Sequence, residues 1–191
     1  MNESKVGSSW GVDSNEQNLA YPCDRFIKHY DAMYYRGVTI HASPKTIFRW
    51  LCQLRVAPYS YDLIDNFGRR SPKSLTPGMD NLVIGQLIRN RFRLVDYEKN
   101  KHITVLLTHK QRSESRFDHD QLRLFGEIAI SYLIIPHKIP NSCRLLVKLI
   151  VQYPTGIIGR LMTVFLPWGD KIMMRKQLLN LMNLSEKNTS R

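Results

Sequence analysis

The chain has 191 residues, 43% hydrophobic and 23% charged, which is ordinary composition for one globular domain with a real core. Twenty-eight Lys and Arg against sixteen Asp and Glu give +12 at pH 7, and three scattered cysteines (Cys23, Cys52 and Cys143) argue against a disulfide framework or a zinc pattern. No apolar run approaches the roughly 18–20 residues of a transmembrane helix, and Met1-Asn-Glu-Ser-Lys5 lacks a secretory apolar core, so the expected compartment is the cytoplasm.

Residues 1–24 are rich in Ser, Asn, Gly and Glu without apolar period and read as a flexible tail. Residues 1–35 hold three basic and five acidic side chains, which leaves +14 on residues 36–191. Phe26, Ile27, Tyr30, Met33 and Tyr34 are spaced as a short helix lying on the domain. Val38 and Ile40 alternate with Thr39 and His41, a strand. Ser43-Pro44 then gives an N-cap and a proline at the first helical position, before Ile47, Phe48, Trp50, Leu51 and Leu54 at helical spacing. Tyr61–Phe67 predicts one or two further helical turns stopped by Gly68, followed by a basic loop, 69–77.

From Leu82 the pattern becomes β. Leu82–Ile88, Phe92–Tyr97 and His102–His109 are strand candidates, the last two joined by a turn at Glu98-Lys-Asn-Lys101. Gln111–Gln121 is polar and reads as a loop. Leu122–Ile135 places Leu124, Gly126, Ile128, Ile130, Tyr132 and Ile134 on one face, with Arg123, Glu127 and Ser131 on the other. Leu145, Val147, Leu149 and Val151 repeat this against Arg144, Lys148 and Gln152. Ile157, Ile158, Leu161, Met162, Val164 and Phe165 form an amphipathic helix that Pro167-Trp-Gly169 interrupts. Asp170 then caps a second segment with Ile172, Met173, Leu178, Leu181 and Met182 on one side. Residues 185–191 are polar and read as a frayed end. The order predicts an α+β domain over 25–184, an antiparallel sheet covered by a long kinked C-terminal helix.

This order and several strings resemble the helix-grip, START/Bet v 1-like superfamily, within its polyketide cyclase/dehydratase-like SRPBCC grouping. The strings are Val38-Thr-Ile-His-Ala-Ser-Pro44 with Ile47-Phe-Arg-Trp-Leu51, Tyr59-Ser-Tyr-Asp-Leu-Ile-Asp-Asn-Phe-Gly-Arg-Arg-Ser-Pro72, Gly85-Gln-Leu-Ile88, Tyr153-Pro-Thr-Gly-Ile-Ile-Gly-Arg-Leu161 and Gly169–Leu178. The resemblance implies a curved sheet gripping the C-terminal helix around an apolar cavity. Members bind lipids, polyketides or sterols, and some are enzymes without a shared catalytic signature.

A ligand cavity between sheet and helix would draw on Trp50, Tyr59, Tyr61, Leu124, Ile128, Ile130, Tyr132, Leu145, Val147, Leu161 and Phe165, although close packing favours plain core for any one of them. Asp62 and Asp65 are three apart and could split their pKa values as an acid/base pair, or simply pair with Arg69 and Arg70. Asp62, Tyr61 and Tyr59 are the candidates if the protein is a cyclase or dehydratase. None of the six histidines has metal-ligand spacing, Asp118-His-Asp120 reads as a solvated loop, and no cofactor motif is present. The main expectation is therefore binding of a hydrophobic small molecule or lipid, with no cofactor or metal. Arg89/Arg91/Arg93, which alternate and would stack on one strand face, and Lys171/Arg175/Lys176 are the densest basic groups; contact with an anionic membrane is a further alternative, favoured over nucleic acid because no interleaved aromatics accompany them. Oligomeric state is not legible.

Overall fold

A computed structural model of the chain describes residues 6–62, 68–89, 92–107 and 126–189. Its centre is a seven-stranded open sheet: β1 (Val6–Trp10), β2 (Ala32–Ile40), β3 (Leu87–Ile88), β4 (Phe92–Glu98), β5 (His102–Leu107), β6 (Glu127–Pro136) and β7 (Cys143–Gln152). The spatial order is β1-β2-β7-β6-β5-β4-β3, antiparallel throughout except for the parallel pair β1·β2. The helices are α1 (Ser14–Gln17), α2 (Pro44–Cys52) and α3 (Ile157–Thr189).

The helix α2 starts where its sequence says it should. The Ser43 hydroxyl accepts from the Thr46 N–H at 3.2 Å, and Pro44 occupies the first turn, where its missing N–H costs nothing. Its buried side, Ile47, Phe48, Trp50 and Leu51, meets Val38, Ile40, Tyr132, Leu145 and Val147 of the sheet and Leu178 and Leu181 of α3. This inner core, between sheet and helices, is the helix-grip arrangement. In the β4–β5 hairpin, Asn100 takes φ 64° and the Lys101 N–H closes the turn on the Glu98 carbonyl at 3.0 Å.

Several expectations change. The stretch Phe26–Tyr35, expected as a short helix, instead runs into β2 from Ala32, and Tyr34 and Tyr35 sit on opposite buried faces of the sheet. Leu82–Ile88 is a strand only at Leu87–Ile88; Gly85, at φ 92°, turns the chain and donates its N–H to the Leu94 carbonyl at 2.7 Å. Pro167 lies inside α3 without ending it, and Asp170 points into the core rather than capping a second segment. Arg89 lies in the β3–β4 turn at φ 53° and Arg93 on β4, so they do not share one strand face. The helical turns expected beyond Asp62, the loop 111–121 and the first part of Leu122–Ile135, including Arg123 and Leu124, lie outside the described residues, as do Asp65, Arg91 and Asp118-His-Asp120.

The largest difference concerns the N-terminal segment. Residues 6–24 supply a strand, a capped helical turn and the 3-10 turn Pro22–Arg25. Asp13 and Glu16 form a reciprocal capping box. Tyr21, Cys23 and Ile27 cover the outer sheet face, against Met33, Tyr35, Leu106, Ala129, Leu146 and Ile150. The sheet is thus buried on both faces. Charge explains the docking: Glu16 reaches Arg144 at 2.6 Å, and Asp24 reaches Lys148 at 2.6 Å. The acidic start of the chain lies on the basic body. Lys148 also sits over the rings of Tyr21 and Tyr35 at 5.4 and 5.3 Å. Burial works against its charge, but the Asp24 carboxylate and the Tyr35 hydroxyl more than offset this and hold its pKa above the ordinary lysine value.

Candidate functional site

The inner core does not fill completely. Between the end of α2, strands β4 to β6 and the middle of α3 lies a cavity of about 230 Å³. Leu51, Cys52 and Leu54 enter it because they end the apolar side of α2 and the 3-10 turn that continues it. Ile103, Val105, Ile130 and Tyr132 enter from alternate positions of β5 and β6. Met173, Met174 and Gln177 enter from successive turns of α3.

The polar side chains of this wall are Ser60, Arg89, Tyr132 and Gln177, and the last two are committed to one another. The Tyr132 hydroxyl donates to Gln177 Oε1 at 2.8 Å, and Gln177 Nε2 donates to the Pro58 carbonyl at 2.7 Å. Burial, with the nearby Asp170 charge, raises the Tyr132 pKa far above the ordinary tyrosine value, so the hydroxyl stays protonated. Burial pushes the Cys52 thiol up to about 12, which keeps it out of its nucleophilic thiolate form. One residue further along the chain from Pro58, Tyr59 is held at φ 55°, strained for a bulky side chain, while Asn180 donates to its carbonyl at 2.8 Å. The helix α3 therefore staples both carbonyls of the Pro58-Tyr59 turn beside the cavity.

Two turns before Gln177 on the same side of α3, Asp170 accepts from Arg36 Nη2 at 2.7 Å, with side chains 7% and 1% exposed. Arg36 also donates to the Tyr35 carbonyl at 2.8 Å and lies 5.6 Å from the Tyr34 ring. Burial pushes the Asp170 carboxyl up to about 6 although the Arg36 charge pulls the other way. Beyond this pair, the Tyr34 and Tyr153 hydroxyls meet at 2.7 Å.

The sequence-derived candidates scatter around this site. Ile130 and Tyr132 are wall residues. Trp50, Tyr59, Leu145 and Val147 are packed in the surrounding core, with Trp50 and Tyr59 edge to face at 5.9 Å. Ile128 belongs to a neighbouring cluster with Ala32, Tyr34 and Leu149. Leu161 and Phe165 stand exposed on the far side of α3, and Tyr61 is also exposed. They are removed from the cavity because the face of α3 turned to the sheet runs through Asp170, Met174 and Gln177. Asp62 does not pair with a second carboxylate among the described residues; it clamps a loop, accepting from the Ser71 N–H at 2.8 Å and from the Ser71 hydroxyl. Met173 and Met174 are wall residues that the sequence already offers as adaptable fillers, while Leu51, Leu54 and Gln177 are among the wall residues it does not single out. Their signal was their place at helical spacing, which core packing produces equally well. Among the described residues no group of three His, Cys, Asp or Glu could hold a metal ion.

Sheet, gripping helix and the pocket between them define the class: this is a helix-grip, Bet v 1-like fold. No family model and no curated protein matches the sequence. Similar solved structures include a protein from Chromobacterium violaceum, 11% identical, covering 81% of this chain and 96% of that one with a TM-score of 0.46. They also include a norcoclaurine synthase from Thalictrum flavum, bound to a transition-state analogue (12% identical, 82% and 95% covered, TM-score 0.45). A member of the major latex protein family from Arabidopsis thaliana is 12% identical, with 75% and 92% covered and a TM-score of 0.37.

Proposed function

We propose that the protein binds a hydrophobic small molecule, a lipid or a polyketide-like compound in the cavity between β4–β6 and α3. The observation that carries this reading is the character of the wall. Leu51, Leu54, Ile103, Val105, Ile130 and Met174 offer apolar surface, while Tyr132 and Gln177 already satisfy one another. Such a wall rewards an apolar guest and leaves few polar groups to desolvate. The two methionines, Met173 and Met174, can shift to admit guests of different outline. Catalysis by Tyr59, Tyr61 or Asp62 draws no support from this geometry, since none of them is a wall residue.

Native mass spectrometry of the purified protein and thermal shift against a lipid and polyketide panel test the proposal. A guest at about 100-fold over its Kd adds ~2.7 kcal/mol, which is roughly 5–10 °C in Tm for a domain of this size. Ile130→Trp fills the space and is expected to abolish that shift while the variant stays folded. If no compound co-purifies or shifts the wild type, or if Ile130→Trp binds as the wild type does, the proposal fails.

A further inference from the structure

The first half of α3 carries an apolar face that no other described element covers. Ile157, Leu161, Val164, Phe165, Trp168 and Ile172 recur at three- and four-residue steps, which puts them on one side of a helix. They are all exposed, Ile157 at 77%, Phe165 at 66% and Trp168 at 67%. Together with Ile158 they expose on the order of several hundred Å² of apolar surface, at or above the ~300–600 Å² of a typical monomer's largest patch. The stripe is about 22 Å long at 1.5 Å per residue.

The charges around this stripe have one sign. Arg160 and Lys171 fall along one flank, and Lys176 and Arg175 stand at its C-terminal end, where Arg175 lies 5.5 Å from the Trp10 ring. From Ile157 to Leu184 the helix has a single acidic residue, Asp170, and that carboxylate is buried against Arg36 on the opposite side. A second copy seated on the same face would set cations against cations in a chain that already carries +12. An anionic lipid surface instead offers apolar depth to Phe165 and Trp168 and phosphates to the flanking Lys and Arg. No helix among the described residues is long and apolar enough to cross a membrane, so the contact lies in the interface plane.

We propose that the exposed face of α3, from Ile157 to Ile172, is a docking surface for an anionic lipid bilayer. It goes beyond the cavity reading and stands apart from it, because Met173, Met174 and Gln177 leave the helix on another side. The test is flotation of the full chain with phosphatidylcholine vesicles, with and without 30% phosphatidylserine, at low and high salt. Binding is expected with phosphatidylserine and is expected to weaken with salt. The double variant Phe165→Ser/Trp168→Ser removes only exposed side chains and is expected to lose about tenfold or more in partitioning with its circular dichroism unchanged. Lys171→Ala and Lys176→Ala are expected to cost about fivefold each on anionic vesicles and nothing on neutral ones. Ile130→Trp, which fills the cavity, is expected to float as the wild type does, so failure of the cavity reading leaves this result standing. The proposal is overturned if the wild type binds neither vesicle, if Phe165→Ser/Trp168→Ser binds undiminished, or if light scattering shows a dimer that the same double variant dissolves.

Discussion

Replacing Arg36 by Met is the sharpest test of the buried pair. The change keeps an unbranched apolar stem but removes the guanidinium, and so leaves the Asp170 carboxylate buried without its cation. Breaking a buried pair in this way costs about 3–5 kcal/mol, because an uncompensated charge remains. The cost depends on pH, and its sign follows from Asp170. Burial already holds the folded-state carboxyl at about 6, above the 3.8 of an unperturbed aspartate. A raised folded pKa means that the folded chain binds the extra proton, so this group's stabilisation is full below the unfolded value and is lost as pH rises through the folded one. In the wild type the loss is therefore complete shortly above pH 6. Without Arg36 the carboxyl rises further, and the decline continues at ~1.4 kcal/mol per pH unit above 6. Urea unfolding followed by circular dichroism at pH 5, 6, 7 and 8 reads this directly. Arg36→Met is expected to be closest to wild type at pH 5 and furthest from it at pH 8. Arg36→Met/Asp170→Leu is expected to recover most of the loss and to flatten the profile, since an apolar replacement removes both desolvated charges. A penalty independent of pH, or a double variant no better than Arg36→Met, would refute the electrostatic account.

Other outcomes follow from single contacts. Glu16→Gln breaks the charge-assisted bonds to Arg144 and is expected to cost about 1–2 kcal/mol at pH 7, read by chemical denaturation. The hydrogen bond from Arg144 holds the Glu16 carboxyl below its usual value, so this contribution is present above the ordinary carboxylate range and fades as pH falls through the lowered pKa; the gap between wild type and Glu16→Gln should close in acid. Tyr59→Phe removes a buried hydroxyl that has no hydrogen-bond partner among the described residues and is expected to leave stability unchanged or raise it by about 1 kcal/mol in the same assay. Gly126→Ala places a Cβ 2.0 Å from the Gln152 carbonyl oxygen at φ 69° and is expected to lower Tm by several degrees.

Much of the architecture was legible because one-sided patterns are strong signals. Val38 and Ile40, the Ser43-Pro44 helix start, and the alternating Ile128 to Ile134 and Leu145 to Val151 all sit in the elements their spacing implies. The outer face was harder. Leu146 and Ile150 interleave with Arg144 and Lys148, so β7 reads as apolar on one side and mixed on the other. A sheet covered on both faces makes near-continuous apolar runs, and here the mixed face hides beneath Tyr21 and Cys23. The hint was the acidic bias of a segment whose targets are basic. Leu161 and Phe165 were placed inward because an apolar stripe looks alike whether it meets a core or a partner. Length separates the two: a 33-residue helix extends about 50 Å, whereas a ten-residue strand covers about 33 Å. One sheet cannot cover the whole of α3.

The N-terminal strap also orders events in time. The Cys23 N–H bonds the Ser131 hydroxyl, 108 positions further along the chain, and its thiol meets the Lys148 carbonyl, 125 positions further. During synthesis Tyr21, Cys23 and Ile27 emerge first, while the strands that receive them are made after most of the chain. The strap therefore waits unpaired and docks as a late, long-range step, and the apolar outer face of β6 and β7 stays open until it arrives. Variants that weaken Glu16–Arg144 or Asp24–Lys148 should thus lower the yield of soluble protein during expression more than they lower the stability of protein already folded.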